Sequence, residues 1–193
     1  MKKNDKNTRG KIITAAWDLF YEQGYDDTTV EEIIEKSGTS KGSFYHYFEG
    51  KDALLGSLSY IFDEEYARLM ETIPSDMTSF DKLMYLNKHL FSMIEDRIDI
   101  DLLTRLYSTQ LVTKGEKHLL DNKRFYYKLL RKIVAEGQQK NELTTNMTVN
   151  EIVKLYTISE RALIYDWCLC NGEYSLSSYA KSVMPMFMSV IRL

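Results

Sequence analysis

The 193-residue chain predicts an all-α protein, with an N-terminal three-helix helix-turn-helix head and a C-terminal helical-bundle body, about nine helices in all, assembled as a homodimer. Three observations carry this. Only 2 Pro and 9 Gly interrupt a sequence rich in Leu, Lys, Glu and Met, which are good helix formers. Apolar residues recur at spacings of three and four, and strand-type alternation is almost absent. No apolar run approaches the ~18 to 20 residues needed to cross a bilayer, so the helices pack on one another.

The elements follow in order. Residues 8–23 set Ile12, Ala16, Leu19 and Phe20 on one face, and Gly24 ends the helix as a C-cap. Thr28 and Thr29 precede Glu31 and Glu32 by three residues, the spacing of a capping box, and open a short second helix that runs through Ser37 and closes at Gly38. Thr39 and Ser40 make the turn, and Ser40 caps a third helix that runs through Phe44, Tyr45, His46 and Tyr47 to about Phe48. Gly50 breaks the pattern. From Lys51 a long helix carries Leu54, Leu55, Leu58, Ile61, Phe62, Tyr66 and Leu69 on one broad face until Pro74 stops it. Thr78 with Asp81 opens a helix to about Glu95, and Asp99 opens another to about Val112. Residues 118–139 form a long helix ending near Gly137 and Asn141. The segment TTNMTVNE caps a helix from Val149 to Cys170, and Ser175 caps a last one that contains Pro185. The head then spans residues 1–51 and the body 52–193.

Composition narrows the function classes. Hydrophobic residues at 44% and charged residues at 27% describe an ordinary globular chain. The N-terminus MKKNDKNTRGK lacks the apolar stretch of a signal peptide, so the cytoplasm is the expected compartment, with no membrane partner. Net charge is −3, and residues 1–51 balance eight Lys or Arg against nine Asp or Glu. Charge is nevertheless uneven: Lys2, Lys3, Lys6, Arg9 and Lys11 crowd the N-terminus, and Lys41 and Lys51 bracket the aromatic helix, a local basic rim. Cys168 and Cys170, two apart on a helix, point to different sides and share neither a disulfide nor a metal. His89 and His118 lack metal-type partners at helical spacing, so neither a metal nor another cofactor is expected. The chain has no Glu-x-x-His pair, no glycine-rich phosphate loop and no nucleophile near a base, so it does not read as an enzyme.

The stretch from Gly38 to Lys51, GTSKGSFYHYFEGK, points to a function. A helix turning every 3.6 residues cannot bury five consecutive residues such as Phe44, Tyr45, His46, Tyr47 and Phe48. Phe44 and Phe48, four apart, pack inward, and Lys41, Ser43, Tyr45, His46 and Tyr47 face outward. A short helix, a glycine turn and a second helix of this kind form the unit that enters the DNA major groove. Lys41 suits guanine or phosphate, Ser43 either partner, Tyr45 a thymine methyl or a phosphate, and His46 and Tyr47 the groove walls. Gly42 lets the backbone approach closely. Lys51 can neutralise a phosphate, and Thr28 and Thr29 can cap the second helix, meet phosphates, or do both.

Residues 9–55 carry a resemblance. Ala15-Ala16, Leu19-Phe20, Gly24-Tyr25, Thr28-Thr29-Val30, Ile33, Gly38, Tyr45-x-Tyr47-Phe48 and Lys51-x-x-Leu54-Leu55 resemble the DNA-binding head of the TetR family of bacterial regulators. Ile34, Ser37 and Thr39 depart from that pattern at packing positions. The resemblance implies a homodimer whose heads read successive major grooves of a palindromic operator, usually as a repressor, and a small-molecule effector in the body. It assigns DNA contact to Thr28, Thr29, Lys41, Gly42, Ser43, Tyr45, His46, Tyr47 and Lys51. The competing reading is an architectural protein that keeps the head but answers to a protein partner.

In the body, the last two helices are apolar over more than one face, which marks Ile152, Tyr156, Leu163, Trp167, Tyr179, Val183 and Phe187 as a dimer interface. Phe91, Met93, Leu103, Tyr107, Phe125, Tyr126, Tyr156 and Trp167 are candidates to line an effector cavity. Few charges are evidently buried, so an apolar or aromatic effector is expected.

Overall fold

The computed structural model describes residues 3–114 and 117–193, with side chains from Thr8 onward. The side chains of Lys2, Lys3 and Lys6 of the expected basic rim lie outside the described residues. The head comprises α1 (Lys3–Gln23), α2 (Val30–Ser37) and α3 (Lys41–Tyr47). The body follows as α4 (Lys51–Leu55), α5 (Leu58–Thr72), α6 (Ser79–Arg97), α7 (Ile100–Val112), α8 (Phe125–Gln139), α9 (Val149–Leu169) and α10 (Leu176–Phe187). Two 3₁₀ turns, His118–Leu120 and Ser189–Ile191, complete the described elements. No helix among the described residues is long and apolar enough to cross a membrane, and no described residues cluster as metal ligands.

The helix expected from Lys51 to Pro74 is two segments, α4 and α5, meeting at Gly56 and Ser57. Both junction residues keep right-handed helical angles; counted as one helix, the pair restores the expected nine among the described residues. The junction is tightened by i→i−3 bonds from Ser57 N to Leu54 O (2.9 Å) and from Tyr60 N to Ser57 O (2.9 Å). Trp17 Nε1 donates to Ser57 Oγ at 2.7 Å and fastens α1 to this junction. Two other boundaries also move. Residues 118–124 form a turn before α8, and the last helix stops at Phe187, leaving Leu143 and Arg192 to form an isolated antiparallel bridge.

The head core is Ile12, Ala16 and Phe20 of α1 against Ile33, Phe44 and Phe48, all buried. In the body, α6 packs against α5, α8 and α10, while α9 bridges α7, α8 and α10. Two helix starts are capped from afar. Glu95 accepts from Leu176 N (2.7 Å) and Ser177 N (2.8 Å) at the start of α10, and Glu142 accepts from Ser79 N (2.6 Å) at the start of α6. A carboxylate at a helix N-terminus satisfies otherwise orphaned amides and complements the helix dipole.

Burial corrects the dimer assignment. Ile152, Tyr156, Leu163 and Trp167 lie inside the protomer and cannot face a partner. The apolar side chains that α9 exposes are Ile158, Tyr165 and Leu169, at 47%, 46% and 64%. With half-buried Leu155 and exposed Ala162 they form one stripe at spacings of three and four. On α10 and its extension, exposed Tyr179, Met186, Phe187 and Val190 continue it around half-buried Val183.

Candidate nucleic-acid interface and body cavity

The helix-turn-helix is locally determined. Thr29 Oγ1 accepts from Glu32 N (3.2 Å) while the Glu32 carboxylate accepts from Thr29 N (2.7 Å), a reciprocal capping box. Gly38, at φ 61°, ends α2 in the left-handed region, where a side chain would be strained. Ser40 then caps α3 by accepting from Ser43 N at 3.1 Å. This places Phe44 and Phe48 in the core, their ring centroids 5.8 Å apart. Lys41, Gly42, Tyr45 and His46 project outward, with Ser43 and Tyr47 half-buried beside them. Tyr45 is 49% exposed, so its ring is open to solvent.

Two side chains assigned to DNA are otherwise engaged. Lys51 Nζ donates to three carbonyls, Tyr25 O (2.5 Å), Thr28 O (2.8 Å) and Asp26 O (3.3 Å), and its ammonium lies 4.3 Å from the Tyr25 ring centroid. Its three protons are committed to holding the α1–α2 turn. Thr28 is buried and donates to Gly24 O at 2.7 Å, closing the end of α1. Thr29 remains exposed. Lys41 forms an ion pair with Glu31 at 3.1 Å, both side chains well exposed; the pairing raises the lysine pKa and lowers that of Glu31. An exposed pair of this kind separates readily in favour of phosphate.

The head meets the body through Tyr25, whose hydroxyl donates to Asp52, and through the ion pair of Arg105 with Asp26. Inside the body is a cavity of about 40 Å³ lined by Phe62, Tyr66, Leu90, Tyr107, Leu119, Arg124, Tyr126, Glu160, Arg161 and Ile164. Of the residues expected to line it, Tyr107 and Tyr126 do. Phe91, Met93, Leu103, Tyr156 and Trp167 are core elsewhere, and Phe125 is 41% exposed because α8 turns its first residue to solvent.

Buried charges are few among the described residues, Glu65, Arg124 and Glu160, and the last two line the cavity. Glu160, 3% exposed, accepts from Asn87 Nδ2 (3.0 Å), from the hydroxyl of Tyr126 and from Tyr66 (3.4 Å). Burial raises its pKa against the opposing pull of these donors, and burial together with the carboxylate keeps the tyrosines protonated. Arg124, also buried, pairs with Asp63 (2.8 Å) and donates to Ser59 O (2.7 Å), tying the start of α8 to α5. The one sequence signal for this cluster is Glu160 itself, an acid at a core position of α9. Arg124 also donates to His118 O at 3.5 Å, and the His118 ring lies against Gly56: a methyl there would stand 2.3 Å from His118 Cδ2.

Comparison with known proteins agrees with both halves. Residues 12–58 match the family model described as bacterial regulatory proteins, tetR family, and residues 62–190 match the YsiA-like protein, C-terminal region. The fatty acid metabolism regulator protein of Bacillus subtilis is 25% identical over 186 residues, covering 94% of each chain. The crystal structure of FadR from Bacillus subtilis in complex with stearoyl-CoA superposes with a TM-score of 0.69 at 22% identity, over 95% of this chain and 100% of that one. Thermus thermophilus FadR in complex with lauroyl-CoA gives a TM-score of 0.75 at 18% identity, over 96% and 95%. With family models matching from the first core residue of α1 almost to the C-terminus, the chain belongs to the TetR family and is a DNA-binding transcriptional regulator.

Proposed function

We propose that the protein is a repressor that binds a palindromic operator as a homodimer and releases it when an acyl-CoA occupies the body. Residues 1–51 act as the reading head, and residues 52–193 bind the effector and form the dimer. Lys41, Gly42, Ser43, Tyr45, His46 and Tyr47 supply the groove contacts, and Thr29 meets phosphate at the start of α2. The observation that carries the reading is the exposed polar face of α3, set on a helix anchored by the fully buried Phe44. The exposed apolar stripe of α9 and α10 supports self-association, since two-fold pairing buries such a face without a second protein.

The effector class comes from the relatives that bind stearoyl-CoA and lauroyl-CoA, together with a cavity in the body. A chain entering between Phe62, Leu90 and Ile164 presses on Leu119 and Arg124, which lie in or next to the turn that carries His118. That turn bears on Gly56, between the head and α5, so widening the body shifts the head. The decisive measurement is fluorescence anisotropy of the protein on a duplex carrying an inverted repeat from its own promoter. Palmitoyl-CoA should release the duplex at micromolar concentration; intact DNA binding that ignores every acyl-CoA would overturn the effector assignment.

A further inference from the structure

On the outer side of α8 and α9 lies a groove of about 570 Å³ whose lining includes Arg131, Lys154 and Arg161 but no carboxylate. None of these three cations takes part in an ion pair among the described residues. Residues 117–132 hold six Lys or Arg against the single acid Asp121, in a chain whose net charge is −3. Positive charge is therefore concentrated on this one segment of the body, where no DNA contact is assigned. Two cations are held by neutral partners: Arg131 donates to Asn122 O (2.8 Å), and Arg161 to the Tyr127 hydroxyl (3.3 Å). Such bonds orient the guanidinium groups while leaving their charge uncompensated.

Arg161 lines both this groove and the apolar cavity, so its side chain stands between them. A ligand that is apolar at one end and polyanionic at the other matches that arrangement in polarity and charge. We infer that the groove of Arg131, Lys154 and Arg161 binds the phosphate-bearing head group of the effector, while its apolar chain passes Arg161 into the cavity. The inference rests on the acyl-CoA reading and adds the place and chemistry of head-group recognition. Arg161 leaves Tyr127 to meet a phosphate, and the Tyr127 hydroxyl, which also donates to Leu119 O at 2.9 Å, then loosens the turn that carries His118.

The test is calorimetric titration of full-length wild type and the R131Q/K154Q variant with palmitoyl-CoA, palmitate and CoA. Both substituted side chains are at least partly exposed, so the melting temperature should hold. The expected result is an affinity for palmitoyl-CoA lowered about tenfold or more in the variant, with a shallower salt dependence and palmitate binding within about twofold of wild type. CoA alone should bind wild type weakly and the variant not measurably. Equal palmitoyl-CoA binding by the two proteins, or equal loss of palmitate, overturns the head-group site. Binding of CoA but of no acyl compound by wild type instead removes the acyl reading and leaves the groove standing, whereas failure of both proteins to bind any of the three ligands removes both.

Discussion

Tyr45 and Lys51 lie six residues apart at the head, yet they do different physical work. Tyr45 is exposed and bonded to nothing its fold requires, so Tyr45→Ala should weaken binding to the palindromic duplex about tenfold or more while leaving the melting temperature within a degree or two. Lys51→Ala removes three bonds to carbonyls and should cost about 2 kcal/mol, or about 4–8 °C, in a thermal melt. Any loss of DNA binding would follow from the slackened turn. Glu160 gives a pH signature. Its pKa is raised on folding above the ordinary 4.5, so the native state holds the proton more tightly and stability falls as pH rises from about that value through the raised pKa. Glu95, Glu142 and Glu151 are lowered, so their contribution is lost only as pH falls below the ordinary value. Glu160→Gln should remove the decline above 4.5 and leave the acid limb intact in melts across pH; an unchanged profile would show that Glu160 does not titrate differently on folding.

At the scale of elements, the junction of α4 and α5 is the most informative. Gly56 is needed for space, because its angles are ordinary helical ones and the His118 ring occupies the position of a side chain. Gly56→Ala should cost about 1–3 kcal/mol by overpacking, and His118→Ala in the same chain should recover most of it. Additive effects in that double-mutant cycle would show the two residues uncoupled. The helices themselves were legible because each is announced locally: the capping box of Thr29 and Glu32, the αL glycine Gly38 and the cap Ser40 all lie within a few residues of what they control. The junction was not, since nothing near Gly56 in sequence signals a histidine arriving from residue 118. The same reason hides the caps from Glu95 and Glu142 and the partners of Glu160, whose donors come from α5, α6 and α8. Lys51 and Thr28 match DNA-contacting positions by their place in the sequence, but the carbonyls that occupy them converge only once the α1–α2 turn is built.

For the whole molecule, the exposed faces of α9 and α10 are where assembly is proposed. Periodicity marked these helices as too apolar for a single chain, but the choice of residues depended on which way each helix is rolled, and tertiary packing decides that. Ile158→Glu with Phe187→Glu places four like charges across a two-fold interface and should yield a monomer in sedimentation velocity, with affinity for the full palindrome falling toward that for a half-site. A persistent dimer would move the interface elsewhere.

The cavity of about 40 Å³ has room for little more than a water molecule, so a lipid-sized effector cannot bind the body as it stands. It must meet a wider form that the resting protein visits only a fraction of the time, and its observed affinity is reduced by that fraction. On the proposed mechanism, operator DNA favours the narrow form and reduces that fraction further. By thermodynamic linkage the factor by which DNA weakens the effector equals the factor by which the effector weakens DNA. A substitution that pre-opens the body would therefore make the protein both a tighter lipid binder and a leakier repressor, and a protein engineer would find the two properties hard to separate.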